Sequence, residues 1–125
     1  LKGQTVFLAE RCGELMHDSI ITDRTILDVM AFTINAKSIP HQDKEAFETY
    51  ASEFIREYDY IFYISPHGIE IEDNGVRETD KQYRDLIDFT ITTLIKRHGH
   101  KAGTIEKISG STEERIQQIL NVTKL

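Results

Sequence analysis

The sequence has little cysteine and no long hydrophobic run. Its 125 residues include one cysteine, Cys12. A single cysteine excludes an internal disulfide and fits a reducing, cytoplasmic environment. Cys12 also falls within an apolar helical pattern, which is more typical of a small buried side chain than of a nucleophile. No apolar stretch approaches the length needed to cross a membrane, and no signal peptide is recognisable.

Positive charge is also scarce. Lysine and arginine number 15 against 21 aspartate and glutamate residues, so the formal net charge is −6. This balance argues against a nucleic-acid backbone as the main partner. We therefore expect no nucleic-acid partner, and the absence of a long apolar run predicts no membrane partner. The alternatives of a monomer and a homodimer stay open.

A phosphate-binding loop is the third absence. Such a loop is rich in glycine and ends in Gly-Lys-Ser/Thr, so that its backbone amides and its lysine cradle a triphosphate. None of the seven glycines in this sequence is followed by lysine. The sequence also begins at Leu1 within a helical pattern, from which we expect it to be a piece of a longer protein.

What remains is typical of one globular domain, residues 1–125, with 29% charged and 39% hydrophobic residues. Three short β-branched or aromatic runs alternate with helical patterns and are predicted to be strands: Ser19–Thr22, Tyr60–Ile64 and Thr104–Ser109. This alternation predicts a parallel sheet in an α/β layered fold. Three strands are few for such a sheet, so we expect further strands before Leu1.

Helices are predicted where apolar residues recur at spacings of three and four. These helices are Leu1–Met16, Arg24–Lys37 ended by Pro40, one capped by Asp43 that runs to Tyr58, one opened by Thr79 and Gln82 and ended by Gly99, and one opened by Ser111 and Glu114. The last two begin with capping boxes, in which a Ser or Thr side chain and a Glu or Gln side chain satisfy each other's backbone amides.

The charged pair Asp23-Arg24 directly follows the first predicted strand. Open α/β folds bind their ligands at the carboxyl edge of the sheet, where such a pair would lie. An aspartate there can hold Mg²⁺ or accept a proton from a substrate hydroxyl, and an arginine can clamp an anion. The alternative is structural, because a carboxylate in the first turn of a helix also suits the helix dipole.

A second candidate region is the irregular stretch at about residues 69–84, which is predicted to be a mobile lid. Arg77 lies beside a glycine just outside the following helix, and Arg84 lies on that helix at the border of its apolar stripe. Two such cations can neutralise phosphate charge during a transfer reaction. The alternative is that both arginines pair with acidic neighbours, which are Asp80, Asp85 and Asp88.

Two further sets of residues are candidates for contact with a base. Gly110 and Ser111 follow the third predicted strand, although a plain capped helix start explains them equally well. Phe32, Phe47 and Tyr50 are aromatic residues on the predicted helix pair, although each is also typical of an ordinary core position.

Several segments together resemble a known family. These segments are TDRT, ILDVMAFT, YDYIFYISP, EDNGVRETDKQYRDLID and ISGSTEERIQQIL, in that order. Their order is similar to the carboxyl-terminal two-thirds of the small P-loop kinases grouped with the ribosylnicotinamide-kinase-like AAA domain, and the resemblance covers nearly the whole chain. The lid segment is its most specific part, here with Asn74 between Asp73 and Gly75.

The resemblance implies a three-layer P-loop NTPase-type parallel sheet flanked by helices, with the first strands and the phosphate loop absent from this chain. It implies ATP- and Mg²⁺-dependent phosphoryl transfer to a small metabolite, namely a nucleoside or nucleotide. By the same resemblance Asp23 is the base or metal-side carboxylate, Arg24 a substrate clamp, and Arg77 and Arg84 the lid charges. Gly110 and Ser111, with Arg77, are implied to contact ATP.

The alternative from a different class is a non-catalytic nucleotide-binding or interaction module that lacks the phosphate loop. The residues encoded upstream of Leu1 distinguish the two hypotheses. A glycine-rich loop ending in Gly-Lys-Ser/Thr favours the kinase, whereas a native start at Leu1 favours the module.

Overall fold

A computed structural model of the protein describes residues 2–16, 19–65 and 78–124, without the side chains of residues 78 and 79. In these ranges the chain forms five α-helices and two β-strands: α1 Lys2–Glu14, α2 Ile26–Ile34, α3 His41–Ser52, β1 Tyr60–Ile64, α4 Glu78–His98, β2 Thr104–Ile108 and α5 Thr112–Thr123. Short 3₁₀ turns, Glu53–Glu57 and Gly99–Lys101, follow α3 and α4. The fold is therefore mixed α/β, mostly helical, with a small parallel sheet.

The sheet consists of β1 and β2, which pair in parallel from Tyr60 opposite Thr104 to Ile64 opposite Ile108. Both strands, and their parallel arrangement, were predicted and are confirmed. Gly103 lets the two strands begin side by side, because a Cβ at this position would lie 2.5 Å from the carbonyl oxygen of Asp59.

The predicted strand Ser19–Thr22 is wrong, since this segment carries no strand hydrogen bonding. Its apolar residues do not face a core: Ile21 is 95% exposed. Side-chain-to-backbone bonds shape the connection instead, from Thr22 Oγ1 to the Arg24 carbonyl at 3.0 Å and from Arg11 to the Asp23 carbonyl at 3.3 Å. Asp23-Arg24 thus lies in the connection between two helices rather than at a strand end.

Helix α2 lies at the centre of the hydrophobic core. Ile26, Met30 and Ala31 are fully buried. They pack in one cluster with apolar side chains of α1, α3, β1 and α4, including Leu8, Phe47, Ile61 and Leu94. Removing such side chains from water is the main favourable term in folding. This core therefore fixes the positions of α1, α3, β1 and α4 relative to α2.

The starts of three helices differ from those predicted. Helix α4 begins at Glu78, so Thr79, which was predicted to open it, lies inside its first turn. Helix α2 begins at Ile26 rather than Arg24, because Thr25 is its N-cap and forms a capping box with Asp28. Helix α3 begins at His41 with Pro40 as N-cap, so Asp43 lies in the first turn rather than at the cap. A carboxylate in that first turn still complements the helix dipole.

The capping box of α5 is confirmed in both directions. The Ser111 hydroxyl accepts a bond from the Glu114 amide, and the Glu114 carboxylate accepts one from the Ser111 amide. Thr79 lies in the first turn of α4, where its side chain is outside the described part of the chain. Cys12 is partly buried against the core, and this burial raises the pKa of its thiol.

Among the described helices, none is both long and apolar enough to cross a membrane.

Candidate functional site

Asp23 and Arg24 are exposed at the entrance to α2. Arg24 has a φ of 75°, in the left-handed region that residues with a side chain rarely adopt. Its guanidinium carbon lies 5.9 Å from the centre of the Phe32 ring, two turns along α2. Within the described residues this guanidinium forms no hydrogen bond and no ion pair. Arg24 is therefore held over an aromatic face with its N–H donors unused.

The Phe32 ring connects Arg24 with helix α4. Phe32 and Tyr83 stack with their ring centres 6.5 Å apart and their planes 28° from parallel. A hydrogen bond from Asn35 to the Thr90 hydroxyl, at 2.9 Å, fixes the same helix pair further along. We call Arg24, Phe32 and Tyr83 the aromatic row. It brings the predicted substrate clamp to the helix that carries Arg84.

Arg84 directly follows Tyr83 and is half-buried. Its Nε is buried without a hydrogen-bond partner among the described residues. No ion pair joins it to Asp80, Asp85 or Asp88 in that part of the chain. Asp88 instead accepts a hydrogen bond from the Tyr63 hydroxyl of β1. Burial, together with this bond, raises the pKa of Tyr63 to about 12. An unpaired buried donor is uncommon in folded proteins, and within the described part of the chain Arg84 Nε is such a donor.

Arg77 and most of the predicted lid, residues 69–77, lie outside the described residues. The predicted roles of Arg77 in catalysis and in ATP binding therefore stay predictions. Of the predicted lid, the structure describes the first turns of α4, which include Arg84.

Gly110 and Ser111 follow β2 at the carboxyl end of the sheet. Gly110 has a φ of 100°, and a Cβ there would lie 2.7 Å from Glu114 Oε2. The Ser111 hydroxyl is engaged in the capping box of α5. These contacts give both residues a local role in starting the helix, and their predicted contact with ATP stays a prediction.

A cavity of about 260 Å³ opens between α1 and α2. It is lined by residues of both helices and of the connection between them, namely Gln4, Phe7, Glu10, Arg11, Arg24, Thr25, Asp28, Val29 and Phe32. We call it the α1–α2 cavity. Of the three aromatic residues predicted to face a base, Phe32 lines it. Phe47 is buried in the core, and Tyr50 is exposed and packs edge-on against Phe54.

The backbone amides that open α2 are already bonded. The Ile26 amide donates to the Tyr58 hydroxyl at 3.3 Å, and the Leu27 amide donates to the Thr25 hydroxyl at 3.1 Å. The Asp28 amide donates to the Thr25 carbonyl at 3.1 Å. Helix N-termini bind anions through free amides. Anion recognition beside the cavity therefore depends on side chains.

Asp28 and Tyr58 are the titrating groups that hold this helix start. The Asp28 carboxylate accepts a bond from the Thr25 amide at 2.8 Å. Burial raises the pKa of Asp28, although the Thr25 bond and the charge of Arg24 act in the opposite direction. Burial likewise raises the pKa of Tyr58 to about 12, so this residue stays a neutral phenol.

Asp23 is the residue predicted to face Mg²⁺. Kinases commonly hold this ion with one or two carboxylates and the phosphates of the nucleotide, so one exposed carboxylate fits that requirement. Across residues 2–16, 19–65 and 78–124, no group of three or more His, Cys, Asp or Glu side chains is arranged to hold a metal ion. Any such ion at Asp23 would therefore depend on ligand oxygens.

Most side chains of the site were not predicted from the sequence, and they include Phe7, Arg11, Asp28 and Tyr83. Asp28 could have been found, because Thr25 and Asp28 have the spacing of a capping box. Phe7 and Arg11 are one helical turn apart on α1, which gives a shared face. Which element that face meets depends on tertiary packing, and no local signal carries this information.

Comparison of the chain with protein-family models, with curated proteins and with solved structures finds no match in any of the three.

Proposed function

We propose that the protein containing this chain is a kinase that transfers a phosphoryl group from ATP to a small metabolite, namely a nucleoside or nucleotide, in the presence of Mg²⁺. The chain then forms the carboxyl-terminal part of a three-layer P-loop NTPase-type domain. The observation that carries this proposal is the aromatic row, which joins Arg24 to the helix that bears Arg84.

The charges of these two arginines support the proposal. The chain is acidic overall, with a net charge of −6. Even so, neither guanidinium has an ion-pair partner among the described residues. Phosphoryl transfer is catalysed mainly by positioning and by positive charge around the transferred group. Two unpaired arginines on adjacent elements suit that requirement.

Each predicted site residue has a role in this proposal. Arg24 clamps the acceptor, and Asp23 accepts the proton of the acceptor hydroxyl or faces Mg²⁺. Arg84 and Arg77 neutralise phosphate charge from the lid. ATP supplies the phosphoryl group, and Mg²⁺ supplies charge neutralisation at its phosphates.

One observation favours the alternative of a non-catalytic nucleotide-binding or interaction module. None of the seven glycines precedes a lysine, so no phosphate loop lies within this sequence. The module hypothesis predicts that the protein binds a nucleotide or a partner without turning it over.

Labelled ATP tests the two hypotheses. The complete protein is incubated with γ-labelled ATP, Mg²⁺ and a panel of nucleosides and nucleoside monophosphates. We expect label in one acceptor, and none when Mg²⁺ is replaced by a chelator. Binding of an ATP analogue without transfer to any acceptor overturns the kinase proposal in favour of a nucleotide-binding module. Absence of both binding and transfer overturns the kinase and the nucleotide-binding module, and leaves the interaction module.

A further inference from the structure

We infer that the α1–α2 cavity binds the aromatic ring of an acceptor that carries an anionic group, so that the substrate is a nucleoside monophosphate rather than a free nucleoside. This inference deepens the proposed function by naming the class of acceptor. It rests on that function for the transfer step, whereas the binding preference stands on the cavity alone.

The walls of the cavity suit a flat ring. Phe7, Val29 and Phe32 supply its apolar surface. Phe7 is 55% exposed, although burying a phenylalanine side chain is favourable. A ring stacked at this position covers the exposed part of Phe7. Offset or edge-on contact with Phe32 adds the specific attraction between aromatic rings.

Of the two arginines that line the cavity, one is already engaged. Arg11 lies 3.1 Å from the Glu14 carboxylate and donates to the Asp23 carbonyl. Arg24 has no such partner within the described residues, and its planar fork of donors matches a phosphate. The cavity therefore offers one unused cation next to its aromatic wall.

The backbone of Arg24 supports a functional reason for its position. The left-handed region is unfavourable for a residue with a side chain, and such a residue persists there where the surroundings impose it. Here the Thr22 hydroxyl donates a hydrogen bond to the Arg24 carbonyl, and the Arg11 side chain donates one to the Asp23 carbonyl. The backbone amides at the start of α2 are already hydrogen-bonded. The Arg24 guanidinium is therefore the anion-binding group that remains at the rim of the α1–α2 cavity.

The charge of Arg24 attracts the Asp28 carboxylate, although within the described residues no acidic side chain of the lining forms an ion pair with Arg24. Asp28 accepts the Thr25 amide as part of the capping box. Glu10 has a side chain that is 58% exposed and lies 4.0 Å from Arg11. Gln4 and Asp28 can additionally form hydrogen bonds with the polar edge of a base.

The size of the cavity limits its occupant. Sites for drug-sized ligands span about 300–1,000 Å³. A volume of about 260 Å³ suits a ring and not a complete nucleoside triphosphate. The ring then lies inside, and the phosphate lies at the rim beside Arg24. ATP must bind elsewhere, which is required of a kinase with two substrates.

Ligand titrations test this inference in the complete protein, without ATP or Mg²⁺. The four common nucleoside monophosphates are compared with their nucleosides and with ribose 5-phosphate by calorimetry and ligand-observed NMR. We expect at least one monophosphate to bind about tenfold or more tightly than its nucleoside, because a charged bidentate contact is lost in the latter. Ribose 5-phosphate lacks the ring and should bind more weakly than that monophosphate.

Two variants locate the contacts. Arg24→Gln should remove the preference for the monophosphate over its nucleoside. Phe7→Ala should weaken binding of the monophosphate and of its nucleoside alike. Arg56→Gln and Phe89→Ala are matched controls, because both positions are exposed and neither lines the cavity. Phe7 is itself exposed, so its truncation should leave the fold intact.

Three outcomes overturn the inference: equal binding of nucleoside and monophosphate, an unchanged preference in Arg24→Gln, or no binding of any ring compound. The transfer assay separates this failure from failure of the proposed function. A monophosphate preference without transfer overturns the kinase proposal alone, and transfer to a nucleoside without that preference overturns the present inference alone.

Discussion

Asp23 is the exposed carboxylate at the entrance to the site. Its side chain forms no hydrogen bond or ion pair within the described part of the chain, and only its backbone carbonyl is bonded, by Arg11. An aspartate in this situation contributes little to stability. A large effect of its replacement would therefore indicate a role in chemistry.

We expect Asp23→Asn to lower the turnover number by about a hundredfold or more without unfolding the complete protein, because the amide can neither accept the acceptor's proton nor carry charge toward Mg²⁺. Steady-state kinetics and thermal unfolding measure the two quantities. Asp43→Asn, at an exposed position of α3, is the matched control. Near-normal turnover of the folded Asp23 variant would exclude the proposed role.

Asp28 provides a test by pH. Burial raises the pKa of its carboxyl in the folded state, so folding favours the protonated form. The stabilisation from this group is present below the ordinary aspartate pKa of 3.8 and is lost as the pH rises through the raised value. Asp28→Asn keeps an acceptor for the Thr25 amide but does not titrate.

The melting temperature of Asp28→Asn minus that of the unmodified protein should therefore be higher at pH 7 than at a pH below the ordinary aspartate pKa. Thermal unfolding at the two pH values, with Asp43→Asn as the reference variant, measures this difference. If the difference in melting temperature between Asp28→Asn and the unmodified protein is the same at both pH values, burial does not raise the pKa of this carboxyl.

At the scale of elements, the start of α2 depends on a contact with the segment before β1. The buried Tyr58 hydroxyl accepts a hydrogen bond from the Ile26 amide, and both residues are buried. Removing one partner of a buried hydrogen bond leaves the other without compensation, which costs about 1–3 kcal/mol.

Tyr58→Phe should accordingly lower the free energy of unfolding by about that amount, measured by urea denaturation. Tyr60→Phe is the control, because Tyr60 is 43% exposed and its ring stacks on Phe62 without using the hydroxyl. Equal stability of the two variants would contradict the assigned role of the Tyr58 hydroxyl.

The lid is an element whose function is proposed from the sequence alone. We expect residues 69–78 to become protected from hydrogen exchange when an ATP analogue binds. We also expect Arg77→Ala to lower the catalytic constant far more than it weakens ATP binding, because its charge acts mainly on the transition state. Equal protection with and without the analogue, together with normal turnover, would make Arg77 an ordinary surface residue.

Some elements could be predicted because their cause is local. The run Tyr60–Ile64 is apolar or aromatic at every position, as expected of a strand in a parallel sheet. Ser111 and Glu114 close a capping box within one helical turn. The error at Ser19–Thr22 has a different origin. Ile20 and Ile21 have strand propensity, but propensity without a partner strand forms no ladder, and tertiary contacts of Arg11 shape this connection instead.

The candidate site could be predicted only in part for the same reason. Arg24, Phe32 and Arg84 were recognised one at a time from their neighbours in the sequence. The stacking of Phe32 on Tyr83 and the cavity beside Phe7 arise where α1, α2 and α4 pack together. These contacts join residues that are distant in the chain, so their pairing does not follow from periodicity or spacing.

At the scale of the whole molecule, the sheet formed by the described residues has two strands. Parallel sheets are usually covered on both faces and contain more strands than two. Tyr60 and Ile64 of β1 are both substantially exposed. The proposed kinase domain, in which further strands and the phosphate loop belong to the amino-terminal part, offers these residues neighbours.

The central claim is that Arg24 and Arg84, whose elements are joined by the contact of Phe32 with Tyr83, serve one phosphoryl-transfer site, Arg24 at the acceptor and Arg84 at the transferred phosphate. A double-mutant cycle on phosphoryl transfer tests it most directly, by measuring kcat/KM for the complete protein, Arg24→Gln, Arg84→Gln and the double variant. Groups that serve one site are coupled, whereas distant groups are additive.

We predict that each single variant loses activity and that the double variant loses clearly less than the product of the two losses. The matched pair Arg24→Gln with Arg56→Gln should be additive, because Arg56 is exposed and paired with Glu53 outside the cavity. Absence of transfer by the unmodified protein, or strict additivity of Arg24 and Arg84, would contradict the account.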